Sequence, residues 1–159
     1  MAINEKKRAK LTGKGGDRRF LALPDHLTKS ERWGNLSAHA TKVIIELARQ
    51  YNGKNNGDFS APWSRVRRRG WKSKSTLWDA IREAQEAGFI KVTRQGGRHR
   101  VCTLYGITWK PIDECDGKLE HAAEKVASNE WQKTEIALAM RTSAFAMRTS
   151  DPEIEQKAA

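Results

Sequence analysis

The chain has 159 residues, of which 38% are hydrophobic and 31% charged, and its formal net charge is +11. That length suits one domain of ordinary size with extensions, and no window approaches the roughly 18 consecutive apolar residues of a membrane span. A charge so far from zero points to a polyanionic partner, either nucleic acid or an acidic membrane surface.

The charge is concentrated. Residues 1–23 carry seven Lys/Arg against two Asp/Glu, and residues 62–110 carry twelve against three. Residues 24–61 are nearly balanced, and residues 111–159 carry six against ten. The first ten residues, MAINEKKRAK, lack the apolar run of a signal peptide, so the expectation is a cytoplasmic protein with no membrane association. The two cysteines, Cys102 and Cys115, form no CxxC and no disulfide framework.

Residues 1–19 read as a flexible basic arm. Lys6, Lys7, Arg8 and Lys10 lie ahead of Gly13, Gly15 and Gly16, which discourage a continuous helix. Such arms track phosphates, or simply keep a chain solvated. The stretch FLALP (residues 20–24) looks like a short apolar anchor, and residues 25–35 form a short helix or a turn around Trp33 and Gly34. Residues 37–51 predict a helix, because Leu36, Ala40, Val43, Ile44, Leu47 and Tyr51 recur at spacings of three and four. Ser37 is its candidate N-cap, and NGKNNGD (residues 52–58) is a strong stop signal. Phe59 and Ser60 suggest one or two residues of strand.

A second, short helix is expected over residues 61–69. Pro62 sits in its first turn and Gly70 ends it. A third is expected over residues 73–87, with Ser73 or Ser75 as cap, Leu77, Ile81 and Ala84 buried, and Gly88 closing it. Residues 89–94 alternate like a strand, QGG makes a turn, and a second strand is expected near residues 100–105. Trp109 and Pro111 end the compact part, so a domain over residues 20–112 is expected. Residues 113–147 read as a helical extension with helices over 118–127 and 129–142, the first clustering Leu119, Ala122, Ala123 and Val126. Residues 148–159 read as a disordered tail.

The fold class is therefore mainly α with a small β-hairpin. The order helix, short helix, tight turn, helix and hairpin is the pattern of a winged helix-turn-helix. In such a unit the later helix enters the major groove of duplex DNA. Lys72, Lys74, Ser75 and Thr76 stand at the start of that helix, where close approach to base edges is needed. Thr76 has the alternative of facing the protein. Asp79 suits a cytosine amino group, or merely keeps the surface polar. Arg82 meets phosphate or nothing. The run Arg65, Arg67, Arg68, Arg69 reads as phosphate contact, which positions without reading sequence. Arg94, Arg98 and Arg100 flank the turn of the wing, with Arg98 the foremost candidate. The six tryptophans are expected mainly in the core, with Trp71 the most plausible exception that would stack on bases.

Nothing points to an enzyme. The four histidines are scattered, no cysteine-rich or acidic metal pattern occurs, and Lys14 with its glycines falls short of a phosphate-binding loop. No cofactor or metal is expected.

The segments FLALPDHL and LSAHATKVIIELARQYNGKNNGD resemble winged-helix proteins of bacterial plasmids, prophages and mobile elements. The likeness continues through STLWDAIREAQEAGFIKV to TLYGITWKPIDEC, over about residues 20–115. It implies a DNA-binding domain with its recognition helix at 73–87 and its wing at 94–100. Members of this group serve replication or transcriptional control, and plasmid initiators often carry two such domains where one is visible here. The leading expectation is a sequence-specific regulator that binds double-stranded DNA as a homodimer. Residues 113–147 are the candidate contact for the second copy or for a protein partner. An initiator-like or accessory replication protein is the second expectation, and a winged-helix scaffold that binds and inhibits another protein is the third.

Overall fold

The computed structural model describes residues 20–97 and 101–133. Two single-turn helices come first, α1 (Asp25–Thr28) and α2 (Glu31–Gly34). They resolve the choice between helix and turn over residues 25–35 as both, since Ser30 ends one and caps the next through its hydroxyl.

Helix α3 (Ala38–Ala48) follows its expected start, with the Ser37 hydroxyl accepting from the Ala40 N–H. Ala40, Val43, Ile44, Leu47 and Ala48 are its buried face. The helix stops three residues earlier than the apolar spacing suggested. The Gln50 side chain is drawn to Ser60, donating from Nε2 to its carbonyl at 3.0 Å and accepting from its N–H at 3.1 Å. Tyr51 is thereby in the loop rather than on the helix.

The next helix, α4 (Trp63–Val66), is capped by Pro62 and tightens into a 3₁₀ turn, Arg67–Arg69. Gly70 ends it in the left-handed region at φ 83°, a conformation that costs glycine least. Helix α5 (Lys74–Glu86) has Ser73 as its N-cap and buries Leu77, Ala80, Ile81 and Ala84. It packs chiefly on α3. Glu83 fixes that pairing from the surface: its two carboxylate oxygens accept from the Ser37 N–H at 2.7 Å and hydroxyl at 2.6 Å.

Strands β1 (Ile90–Arg94) and β2 (Leu104–Ile107) form an antiparallel hairpin. Phe59 bridges the other side of β2 through two backbone hydrogen bonds with Tyr105. The second strand lies at residues 104–107 instead of the expected 100–105. Every residue of it is buried, so it shows no alternation from which its register is legible. A bulge between Val92 and Arg94 leaves Thr93 outside the ladder. Its hydroxyl donates to the Gly57 carbonyl at 2.6 Å, and its own carbonyl accepts from the N–H groups of Glu120 and His121.

Those two bonds correct the expected helix at 118–127. The described part of the expected extension runs back across the hairpin as an irregular strap, with one 3₁₀ turn at Cys115–Gly117. The Glu124 N–H, which a helix would use internally, goes instead to the Ile112 carbonyl, and further along Asn129 donates to the Thr108 carbonyl. Leu119, Ala122, Ala123 and Val126 form no apolar stripe, and Val126 is exposed. Helical composition is a weak preference that tertiary hydrogen bonds outweigh here. Helix resumes at residues 130–133, and the rest of the expected 129–142 helix lies outside the described residues.

The compact part therefore continues past residue 112. Ile112 and Trp131 are 1% and 2% exposed. Trp131 stacks on Phe89, ring centroids 6.0 Å apart. Asn56, fully buried, locks the start of the strap. Its Oδ1 accepts from the Ile107 N–H, and its Nδ2 faces the carbonyls of Ile107, Lys110 and Pro111 at 2.9–3.0 Å. Its backbone exchanges two further bonds with Asp113. Among the described residues no helix is long and apolar enough to cross a membrane.

Candidate nucleic-acid interface

The sequence places its cations in one run, but the fold divides them. Arg67, Arg68, Lys72 and Lys74 are exposed around the Gly70 turn, and none makes an ion pair or side-chain hydrogen bond among the described residues. Arg65 and Arg69 are committed. Arg65 reaches Ser60 through its carbonyl and hydroxyl. Arg69 donates to the Glu46 carboxylate at 2.6–2.7 Å and ties the 3₁₀ turn to α3.

The start of α5 is open. Lys74 and Ser75 are exposed, Thr76 is half-buried, and the Ser75 hydroxyl lies 2.7 Å from that of Ser73. One turn on, Asp79 and Arg82 form an exposed ion pair at 2.8 Å. A base or phosphate contact by either must compete with that pair, at small cost since exposed pairs are weak.

Arg94 belongs to the hairpin's support rather than to an open face. Its guanidinium donates to the carbonyls of Cys102 and Lys118, both at 3.3 Å, and joins the hairpin to the strap. Arg98, Arg100 and the arm residues Lys6, Lys7, Arg8 and Lys10 lie outside the described residues. Beyond β1 the N–H groups of Gly96 and Gly97 donate to the Thr103 hydroxyl and the Val101 carbonyl.

Trp71 is not the exposed tryptophan; it is 4% exposed and sits in the core. Its chain position in the turn gives no hint of this, because α3 supplies the cover. Lys42 Nζ lies 5.0 Å from the ring centroid and the His39 ring 5.9 Å away. Lys42 also comes close to Gly70, adding a cation to the basic turn that the sequence does not single out. The signal was there in part: His39 and Lys42 are three apart on the polar edge of α3.

The exposed tryptophan is Trp78, at 58%. It lines a groove of about 440 Å³ between the start of α4, the first half of α5 and the hairpin. Its walls are more apolar than polar, and Lys74 is the charged side chain among the described residues that line it. Tyr105 lies in it with its phenol pKa pushed up by burial, against the opposing pull of a hydrogen bond with Thr103.

Among the described residues no group of three or more His, Cys, Asp or Glu is placed to hold a metal ion. No protein-family model, curated protein or solved structure matches this chain.

Proposed function

We propose that the chain is a winged helix-turn-helix protein that binds double-stranded DNA in a sequence-specific manner and acts as a regulator. The observation that carries this reading is the set of uncompensated cations, Arg67, Arg68, Lys72 and Lys74, around the tight turn that opens α5. In this reading α4 and the 3₁₀ turn hold the phosphate backbone and α5 enters the major groove. Lys74 and Ser75 approach the bases, and the hairpin serves as the wing. One such unit reads only a short site, so two copies on paired half-sites lengthen it.

The test is selection from a pool of random duplexes, followed by affinity measurements across salt concentrations. An enriched motif is expected, with two-fold symmetry if two copies bind. If six to ten phosphates are contacted, affinity falls about 10³–10⁵-fold between roughly 50 and 200 mM salt. Binding with no enriched motif removes the sequence-specific reading. No binding at all removes the DNA reading.

A further inference from the structure

The groove beside α5 is poorly suited to a phosphate backbone alone. Trp63, Leu77, Trp78 and Val101 give it apolar walls, and no carboxylate lines it among the described residues. Trp78, 58% exposed, stands beside Trp63, Leu77 and Val101, and such a contiguous apolar patch rimmed by polar residues is the form a binding surface takes. Lys74 stands four residues before Trp78, so the two side chains are neighbours on one face of α5. A cation and an exposed indole one helical turn apart match the two halves of a nucleotide: phosphate beside the ammonium, base against the ring. The Lys74 ammonium on the wall of the groove favours an anionic occupant.

We propose that this groove accepts an unpaired nucleotide of a DNA strand, with the base on Trp78 and the phosphate near Lys74. The proposal rests on the DNA-binding reading and deepens it: where the DNA is paired Lys74 approaches a base edge, and where a base is taken out of the stack onto Trp78 the same ammonium meets that nucleotide's phosphate instead. The protein would then prefer DNA that is locally open over the same DNA fully paired.

Three probes test this: a fully paired duplex bearing the selected motif, the same duplex with a short unpaired thymine bubble beside the motif, and single-stranded oligothymidine. The bubble is expected to bind more tightly than the paired duplex. Trp78→Ala should reduce that preference by about 5- to 150-fold, the range for losing one base–aromatic stack. Trp78→Phe should restore part of it. Trp78 is suitable because it is mostly exposed, and thermal unfolding of each variant checks that the fold survives. Cys102 lies in the groove and is exposed, so in a Cys115→Ser background oligothymidine should slow its reaction with a maleimide.

Equal affinity for bubble and paired duplex, or a preference that Trp78→Ala leaves intact, overturns the proposal while leaving duplex binding standing. Binding of oligothymidine that depends on Trp78, with no binding of duplex, overturns the duplex reading and leaves the groove assignment standing.

Discussion

The basic turn ahead of α5 and the strap across the hairpin use similar side chains for opposite ends. Around the turn, Arg67, Arg68, Lys72 and Lys74 have no partner among the described residues. Where the strap crosses the hairpin, three cations are engaged. Lys91 holds Glu124 and Glu130, both at 2.8 Å, Arg94 holds two carbonyls, and Lys118 holds Asp58 at 3.0 Å. Charge in a sequence therefore says little about charge available to a partner. A cation left unsatisfied at a surface is ready to exchange water and counterions for phosphate, whereas one already paired must first give up its carboxylate.

The largest effect is expected from releasing the strap. Asn56→Ala should cost about 3 kcal/mol or more, because it strands the buried N–H and carbonyl of Ile107 as well as the carbonyls that hold the chain at residues 110–111. Urea unfolding measures it. A loss below about 1 kcal/mol would show that water replaces the amide and that the lock is not at Asn56.

A smaller effect is expected at Lys91. Burial works against its charge, but hydrogen bonds to and charges on Glu124 and Glu130 outweigh this and raise its pKa above 10.5. Lys91→Met should cost about 1–2 kcal/mol, reduced from the value of a fully buried pair by the nearby solvent. The pH dependence has a definite sign. The raised pKa means that the contribution is complete below the unfolded-state value and is lost as pH rises through the higher folded value. Unfolding curves should show wild type and variant converging above about pH 10.5 while keeping a constant gap from neutral pH to about pH 9. A gap that narrows on acidification instead would place the titrating group elsewhere.

The smallest effect on stability, and the one that sharpens the contrast, belongs to the turn. Replacing Arg67 and Arg68 together by Ala should leave the unfolding midpoint unchanged. It should flatten the dependence of log affinity on log salt by about 2, roughly one for each lost phosphate contact. Arg94→Ala should do the reverse, lowering the midpoint with little change in that slope. If the turn pair changes the midpoint and not the slope, the two regions have been assigned the wrong way round.

Much of the helical frame was legible. Ser37 and Ser73 cap where their side chains can reach the N–H three residues on, and the spacings of Val43, Ile44 and Leu47, and of Leu77, Ile81 and Ala84, identify the faces that meet. Local signals suffice there because capping and helical periodicity are local properties. That most tryptophans pack in or against the core was legible, but the exception was not. Trp71 sits in a polar turn and is buried, and Trp78 sits beside an apolar stripe and is exposed. Which of the two is covered depends on α3, some thirty residues earlier in the chain.

The order of the helices and the hairpin, the caps, the glycine at the turn and the concentration of positive charge in residues 62–110 can be read from the chain alone. Each rests on nearest neighbours in the chain. Long-range packing sets which of the described charges are free, makes residues 113–129 a strap rather than a helix, and buries β2 along its whole length. Those outcomes depend on backbone and side-chain groups far apart in sequence finding one another. Asn56 does so with Asp113, Thr93 with Glu120 and His121, and Gly88 with Trp131, whose N–H would lie only 2.6 Å from a Cβ added at Gly88. A helix-prone composition at 118–127 does not prevail where the Glu124 N–H, which that helix would use internally, is taken by the Ile112 carbonyl, while the bulge at Thr93 holds Glu120 and His121.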